Sequence, residues 1–273
     1  MPDLPESHLE DLVRRLGSPY GLERSIKFVT GNIYADRILL SIHADTLGES
    51  PVTRLKSILD ETGFPASSID QVLDLLPAAE LIHFGFERNA SGYLYKCYLE
   101  NSVEYLTAVR RGVRSSALVY TAFKWEPGKT NGLRVSEYTG HAGAELFTIT
   151  NQIKEIYTEN QTSSALAAIL SIIEHVTEKN PQIMPMFMTV TEAENPRFSF
   201  DLNLYDASLH LNDFHDEVFL VSEYFGVDQG AWTGHYSRIE HMVLGHLSGG
   251  IDAMGEEFFT IYFGVMEQNG PAR

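Results

Sequence analysis

The chain has 273 residues, of which 44% are hydrophobic and 11% aromatic, and its formal net charge at pH 7 is −17. This composition is typical of a globular protein, and the acidic balance argues against general binding to nucleic acids or anionic membranes, both of which need a basic surface. The single cysteine, Cys97, excludes an internal disulfide framework and a cysteine-rich zinc site.

The chain begins with the acidic stretch MPDLPESHLEDL, which lacks the apolar core of a signal peptide. No apolar run approaches the length of about 20 residues that a membrane-spanning helix needs. No linker of biased composition divides the sequence, so we expect one domain over residues 1–273 in a soluble, cytoplasmic protein.

The first half of the chain alternates between helical periodicity and pairs of strand-like segments. Residues 5–18 have apolar side chains at helical spacing. After this helix, strands are predicted for 25–32, 36–47, 80–88, 92–100, 116–126 and 133–141, with helices for 51–63, 67–79 and 101–114. Each later pair of strands therefore follows a helix.

The second half continues the same alternation. A helical region covers about 145–179, with TENQT (158–162) as a candidate interruption. Further strands are predicted for 183–193, 197–207 and 257–268, with helices for about 211–225 and 230–247 and a turn at HLSGGIDAMGEE (246–257). The last strand has no partner that the sequence identifies.

Strands joined by short turns form antiparallel hairpins, which argues against a doubly wound parallel sheet. Alternate residues give these strands one apolar face, on which helices can pack, and one polar face that is rich in tyrosine. The sequence therefore predicts an α+β fold, namely a closed antiparallel β-barrel of repeated helix–hairpin (αββα) units with the helices outside and a ligand chamber inside. An open sheet with its polar face in water is the alternative.

The strand GYLYKCYLE (92–100) places Lys96 and Tyr98 on the same face. A surface lysine beside a packed tyrosine would explain this pair without any function. The polar faces of other strands add further cationic and aromatic side chains, namely Lys27, Tyr120, Lys124, Tyr138, Tyr205 and Tyr262.

This layout resembles the aromatic prenyltransferases of the ABBA fold. In that family, α-β-β-α units close an antiparallel barrel in whose lumen a prenyl diphosphate meets an aromatic acceptor. The indole-type branch has a Lys-x-Tyr pair on a barrel strand, and Lys96-Cys97-Tyr98 matches it in residue type and spacing. The resemblance covers most of the chain in layout and a short motif in sequence.

The resemblance implies that the chain transfers a prenyl group from a prenyl diphosphate to an aromatic small molecule, as in secondary metabolism. Cationic side chains would bind the diphosphate, and these are Lys27, Lys96 and Lys124. Tyrosine rings would shield the allylic cation by cation–π attraction and exclude water, and these are Tyr98, Tyr120, Tyr138, Tyr205 and Tyr262.

The sequence departs from the family at a later strand. The indole-type branch has an Arg-x-Lys-x-Tyr strand, whereas the corresponding hairpin here contains Asp201-Leu202-Asn203-Leu204-Tyr205. The diphosphate is then left to Lys27, Lys96 and Lys124, with Arg134 or Arg197 as further candidates. The site is poorer in positive charge than the resemblance implies, so weaker diphosphate binding or a different ligand is the alternative.

No metal site is predicted. The chain has no DDxxD motif, and His235, His241 and His246 follow one another at intervals of six and five, which do not share a helix face. We therefore expect no required cofactor, and no motif indicates magnesium.

Glu137, in the middle of a predicted strand, is the candidate general base toward an acceptor N–H or phenol. Alternation places it on the face opposite Tyr138, so a surface carboxylate is the competing interpretation unless a bulge intervenes.

Two functions from other classes compete with the prenyltransferase hypothesis. One is a non-catalytic barrel that binds a hydrophobic small molecule or pigment. The other is an assembly protein whose acidic surface meets a basic partner. The prenyltransferase hypothesis alone requires diphosphate for tight ligand binding. The assembly-protein hypothesis alone predicts that the barrel has no small-molecule chamber.

Overall fold

The computed structural model describes residues 5–90, 92–129, 132–157, 164–193 and 195–268. In this part of the chain, eleven antiparallel strands form one sheet. They are β1 (Tyr20–Val29), β2 (Asn32–Tyr34), β3 (Arg37–His43), β4 (Leu81–Asn89), β5 (Gly92–Glu100), β6 (Ser115–Trp125), β7 (Arg134–Ala142), β8 (Met186–Glu192), β9 (Phe198–Asn203), β10 (Leu244–Ile251) and β11 (Glu257–Gln268).

Helices occupy the connections between hairpins. They are α1 (Pro5–Arg14), α2 (Pro51–Glu61), α3 (Ile69–Leu75), α4 (Val103–Arg111), α5 (Leu146–Ile156), α6 (Ser164–Lys179), α7 (His215–Tyr224) and α8 (Gln229–Tyr236). Short 3-10 helices lie beside them at Ala44–Leu47, Ala66–Ser68, Leu76–Ala78, Tyr205–Ala207 and Leu211–Phe214. In the described ranges, none of the helices has the length and apolar character to cross a membrane.

The sheet closes because β11 pairs with β1 as well as with β10. Lys27 lies opposite Thr260, and Ser25 lies opposite Tyr262, across this closing pair. The short β2 and the longer β3 pair with the same edge of β1, one after the other. They therefore count as one strand of the barrel wall, and the closed barrel has ten strands. The predicted closed antiparallel barrel with outer helices is confirmed, and the partners of the last strand are now identified.

One strand was not expected from the sequence. β10 occupies 244–251, where the sequence predicted the end of a helix and a turn, and α8 ends earlier at Tyr236. The glycines that suggested a turn instead allow close approach within the sheet. A Cβ at Gly250 would lie 2.6 Å from the carbonyl oxygen of Phe198, and one at Gly249 would lie 2.5 Å from the hydroxyl of Tyr157.

Other boundaries differ by a few residues. The strand predicted for 197–207 ends at Asn203, and Tyr205–Ala207 forms a 3-10 helix because the chain turns away from the sheet there. The predicted interruption at 158–162 lies outside the described residues, with α5 before it and α6 after it.

The two ends of the barrel are built differently. The turns after β1, β4, β6, β8 and β10 all lie at one end, which we name the mouth. Helices α2 to α8 all lie in the connections that leave the other end, which we name the base. This follows from strict antiparallel order, since each helical connection begins where a downward strand ends.

Apolar side chains pack both outside and inside the barrel. Outside, strand residues such as Phe200 and Phe259 pack with Ile169 and Ile173 of α6, and each such buried side chain contributes roughly 1.5–3 kcal/mol to stability. Inside, Tyr105 and Ala108 of α4 form one cluster with lumen residues, namely Tyr138, Met188 and Val190. Helix α4 therefore covers the base of the barrel.

Candidate active site

The lumen contains two connected cavities. The mouth chamber has a volume of about 780 Å³, and the inner chamber, nearer the base, has a volume of about 120 Å³. Their shared walls are Arg37, Lys96, Tyr98, Tyr138 and Tyr262. The two chambers together can hold a ligand that spans the level of these side chains.

Seven cationic side chains of the described residues line the mouth chamber. Lys96 and Lys124 lie directly opposite each other in the pairing of β5 with β6, and strand alternation aims both into the lumen. The others are Lys27, Arg37, Lys129, Arg134 and Arg197. Such a ring of ammonium and guanidinium groups is suited to an anionic ligand with several oxygens.

Glu87 connects two of these cations. Its Oε2 atom lies 2.6 Å from Nη1 of Arg37 and 2.5 Å from Nζ of Lys96. Burial opposes ionisation of Glu87, but the charges of Arg37, Lys96 and Lys27 outweigh it and hold the pKa of Glu87 well below its usual value. Burial also lowers the pKa of Lys96 to about 8, although Glu87 partly offsets this effect.

Glu192 holds the other side of the ring. Its Oε1 atom accepts hydrogen bonds from Nζ of Lys124 at 2.7 Å and from the hydroxyl of Ser136 at 2.5 Å, and Nη1 of Arg197 lies 3.5 Å away. Against the opposing effect of burial, Lys124 and Arg197 lower the pKa of Glu192 to about 2. Both carboxylates are therefore ionised at neutral pH and keep the neighbouring cations in place.

Lys27 has a weaker attachment. Its Nζ atom lies 3.5 Å from Asp252 and 4.7 Å from the centroid of the Phe258 ring. Burial lowers the pKa of Lys27. This lysine can therefore turn toward a bound anion at smaller cost than a lysine held in a tight ion pair.

A belt of tyrosines lies at and just beyond the level where Arg37 and Lys96 line both chambers. The rings of Tyr98 and Tyr138 are 5.9 Å apart, and those of Tyr120 and Tyr138 are 5.7 Å apart, both edge to face. Tyr262 reaches the same level from the opposite wall. Burial raises the pKa of all four phenols, so these side chains stay neutral and offer ring faces.

Polar pairs line the inner chamber. The hydroxyl of Tyr205 donates to Oε1 of Glu23, and burial raises the pKa of Glu23. Nδ1 of His246 donates to Oδ1 of Asp201 at 2.8 Å. Although burial opposes its charge, Asp201 raises the pKa of His246 to about 9.

His83 completes this inner layer. Its Nε2 atom lies 3.0 Å from Oε2 of Glu100, and its Nδ1 atom lies 2.7 Å from the hydroxyl of Ser41. The ring of His83 also packs edge to face on Tyr120 at 5.7 Å. Buried carboxylates, imidazoles and phenols thus lie directly beyond the tyrosine belt.

The structure brings most of the predicted site residues into one lumen. Tyr205, from the 3-10 helix after β9, joins them through the ring of His246 at 5.2 Å. The others that line the two chambers are Lys27, Lys96, Tyr98, Tyr120, Lys124, Tyr138 and Tyr262. Their chemical roles stay predictions.

Glu137 lies elsewhere. It is exposed on the outer face of β7, whereas Tyr138 beside it is buried in the lumen. The bulge in this strand pair falls between Leu118 and Tyr120, so the residues from Tyr120 to Lys124 keep regular register with β7. The structure therefore does not bring Glu137 into the lumen with the other predicted site residues, whereas Glu23 and Asp201 are buried carboxylates that line the inner chamber.

Several lumen residues were missed from the sequence. Arg37 lies within the strand predicted for 36–47, in the alternation that includes Ser41. Glu23 belongs to the alternation that includes Lys27, and extending the strand predicted for 25–32 toward Tyr20 identifies it. His246 lay in a predicted helix, and only the alternation of His246, Ser248 and Gly250 indicated a strand. In the described ranges, no three His, Cys, Asp or Glu side chains are grouped as metal ligands.

A scan against models of known protein families finds no match, and a search of curated proteins finds no relative. Among solved structures, the chain is similar to 5-dimethylallyltryptophan synthase from Streptomyces coelicolor, with a TM-score of 0.59, 14% identity and coverage of 92% of this chain and 82% of that chain. It also matches AnaPT from Neosartorya fischeri (TM-score 0.47, 13% identity, 91% of this chain and 79% of that chain). NotF prenyltransferase gives a TM-score of 0.48 at 13% identity, over 89% of this chain and 80% of that chain.

At 14% identity, the similarity to the Streptomyces coelicolor enzyme shows a shared fold. The distant resemblance to the barrel of aromatic prenyltransferases, predicted from the sequence, is confirmed at that level. Activity and substrates depend on the side chains in the lumen.

Proposed function

We propose that this protein transfers a prenyl group from a prenyl diphosphate to an aromatic small molecule inside the barrel. The name of the similar Streptomyces coelicolor enzyme describes the synthesis of a dimethylallylated tryptophan. We assign the same class of reaction to this chain because its lumen has the groups that the reaction needs, in order of depth. Cations lie at the mouth, tyrosines lie below them, and a buried carboxylate lies beyond.

One observation supports the proposal most strongly. Lys96 of the mouth chamber and Tyr98 of the tyrosine belt are two residues apart on β5, and both line the junction between the chambers. A diphosphate held by Lys96, Arg37 and Lys124 would place its allylic carbon at the level of the belt. The two halves of the substrate would then meet the two kinds of side chain that each requires.

The reaction begins when the C–O bond between the allylic carbon and the diphosphate breaks. Its electron pair leaves with the diphosphate, and Lys27, Lys96, Lys124, Arg37 and Arg197 would stabilise the negative charge. The remaining allylic cation would lie between tyrosine faces, each worth about 0.5–2 kcal/mol of cation–π attraction. The same rings would keep water from the cation.

The acceptor ring would then supply the electrons for the new carbon–carbon bond. Glu23 would accept a hydrogen bond from the ring N–H or phenolic O–H, which raises the electron density of the ring. The attacked carbon loses its proton to a carboxylate of the inner chamber, and the ring becomes aromatic again. The higher pKa of Glu23 makes it a stronger proton acceptor than an exposed carboxylate.

The test is thermal unfolding with and without dimethylallyl thiolodiphosphate, for the wild type and for Lys96→Ala. A ligand that binds only the folded state raises the melting temperature by mass action. We expect a shift of several degrees in the wild type and little or none in Lys96→Ala, since that variant loses a charge-assisted contact to the diphosphate. Turnover is then measured with dimethylallyl diphosphate and indole or phenol acceptors.

Lys56→Ala is the matched control, because Lys56 is an exposed lysine of α2 that pairs with Asp60 four residues away. It should keep the full shift. A wild type that shows no shift at millimolar analogue would contradict the proposal. Tight binding of apolar ligands regardless of diphosphate, with no turnover, would instead support a non-catalytic carrier.

A further inference from the structure

We propose that the inner chamber selects an aromatic acceptor that carries a protonated amine and no carboxylate, and that Asp201 binds this amine. The inference rests on the proposed function, because it names the acceptor class of the same site. It depends on which oxygens and which charges line the inner chamber.

Asp201 presents an open carboxylate oxygen to the chamber. The residue is 7% exposed and lines the inner chamber from the lumen face of β9. Its Oδ1 atom accepts the hydrogen bond from His246, and its Oδ2 atom has no hydrogen-bond partner among the described residues. Because Asp201 lines the chamber, a donor on a ligand there can bind this oxygen in place of water.

Glu23 has a similar arrangement, so the chamber offers two carboxylates to two different donors of one ligand. It is 6% exposed, its Oε1 atom is occupied by the hydroxyl of Tyr205, and Oε2 has no hydrogen-bond partner in the described part of the chain. One open oxygen suffices for the ring N–H of the acceptor. The oxygen of Asp201 then remains for a second donor on the same molecule.

The cations near the chamber are already engaged. Arg37 and Lys96 line its upper wall, where Glu87 holds both. His246, farther in, is held by Asp201 itself. An acceptor carboxylate at this depth would meet Glu23 and Asp201, and the described lysine and arginine that line the chamber, Lys96 and Arg37, are both paired with Glu87.

The walls of the chamber favour an ammonium group for an independent reason. His83, Tyr120, Tyr138 and Tyr262 present rings to the same space. Faces of tyrosine attract an organic cation, most strongly where water is excluded. Carboxylate and ring faces together form a site for a protonated amine rather than for a neutral alkyl group.

The test compares four indoles that differ only at the side chain: tryptamine, 3-ethylindole, tryptophan and indole-3-propionate. Dissociation constants are measured by calorimetry with wild type and Asp201→Asn, without dimethylallyl thiolodiphosphate, because a ligand in the mouth chamber would block the entry of the indole. We expect tryptamine to bind about tenfold more tightly than 3-ethylindole, the gain of one charge-assisted hydrogen bond. Tryptophan and indole-3-propionate should bind more weakly than tryptamine, and the propionate more weakly than 3-ethylindole.

Asp201→Asn should remove the advantage of tryptamine and leave the affinity for 3-ethylindole unchanged, which also shows that the variant is folded. Asp216→Asn is the control, because the side chain of Asp216 is 98% exposed. Equal affinity for tryptamine and 3-ethylindole, tighter binding of either carboxylate, persistence of the tryptamine advantage in Asp201→Asn or binding of no indole at all would each overturn the inference.

Failure of the inference and failure of the proposed function give different results. A thiolodiphosphate shift that depends on Lys96, together with a preference for carboxylate-bearing indoles, would leave prenyl transfer intact and reject only the amine. Absence of any thiolodiphosphate shift would reject prenyl transfer, while tryptamine binding through Asp201 would still be measured without the analogue.

Discussion

Two buried carboxylates organise the cations of the lumen at the scale of single residues. Glu87 bridges Arg37 and Lys96, and Glu192 bridges Lys124 and Arg197. A buried cation without a partner would lose its proton or move to solvent, and these ion pairs oppose that loss. Burial nevertheless holds the pKa of Lys124 well below its usual value, and Glu192 offsets this effect only in part. An entering diphosphate would find its binding groups already oriented, which lowers the cost of binding.

Glu23→Gln should reduce kcat about 100-fold, the usual contribution of a positioned general base. The amide keeps an acceptor oxygen for Tyr205 but cannot take up a proton. The shift in melting temperature with dimethylallyl thiolodiphosphate should be unchanged, because Glu23 lies beyond the tyrosine belt. Steady-state kinetics with the preferred aromatic acceptor measures the effect.

Glu137→Gln is the control for this experiment, because Glu137 is exposed on the outer face of the barrel. It should retain wild-type kcat. A loss in Glu137→Gln that equals the loss in Glu23→Gln would restore the sequence-based assignment and contradict the position of these side chains.

His246 should make stability depend on pH. Its folded pKa is about 9 and its ordinary value is 6.5, so the stabilising charge is fully present below pH 6.5 and is lost as pH rises through 9. The difference corresponds to at most about 3 kcal/mol. Urea unfolding of wild type and His246→Gln at several pH values isolates this contribution from other groups.

The free-energy gap between wild type and His246→Gln should narrow from pH 6 to pH 10. Charged and titratable neighbours, namely Asp201, Glu23 and Glu100, act on His246 in the folded state only. A gap that stays constant or widens with pH would show that Asp201 does not hold the imidazolium.

At the scale of elements, the strands were predictable where alternation is complete and were missed where glycine interrupts it. The pairs β4–β5 and β6–β7 have side chains at almost every position, and their lumen lysines and tyrosines followed from the period of two. In β10, Gly245, Gly249 and Gly250 hid the strand because small residues there admit neighbouring side chains and backbone.

Contacts between side chains of strands that are distant in the sequence could not be predicted, whereas contacts within one hairpin could. Glu87 and Lys96 belong to one hairpin, so their register follows from the turn. Asp201 and His246 are separated by two helices, and their contact depends on which strands become neighbours. Glu23 and Tyr205 meet only because the barrel closes, and no local pattern contains that information.

Gly140→Ala should destabilise the contact between α4 and β7. A Cβ at this position would lie 2.8 Å from Cδ2 of Tyr105 and 2.8 Å from Cγ2 of Val119. Relief of this overlap requires movement of the helix, at a cost of about 1–3 kcal/mol. Urea unfolding measures the change.

Gly234→Ala is the comparison, since Gly234 lies in α8 and an added Cβ there meets nothing within 4 Å. Alanine should stabilise this helix by up to about 1 kcal/mol. Equal stability changes in the two variants would show that α4 does not pack tightly against Gly140.

At the scale of the whole molecule, a group of positively charged side chains lies in the lumen of an otherwise acidic protein. The chain has a net charge of −17, yet its lumen contains a ring of buried cations at the mouth. The acidic exterior discourages nonspecific attachment of anions, and the low-dielectric walls strengthen their attraction once inside. Selectivity for a diphosphate can therefore arise from the interior alone.

The different construction of the two ends has a kinetic consequence. Helix α4 covers the base, so in the described structure the mouth leads past the cations to the inner chamber. Under the proposed function, an acceptor in the deeper position would enter before the prenyl diphosphate, which would then lie between it and the mouth. After the reaction, inorganic diphosphate would leave before the prenylated product. The barrel would then impose an order of binding and release, in which the last reactant to arrive yields the first product to depart.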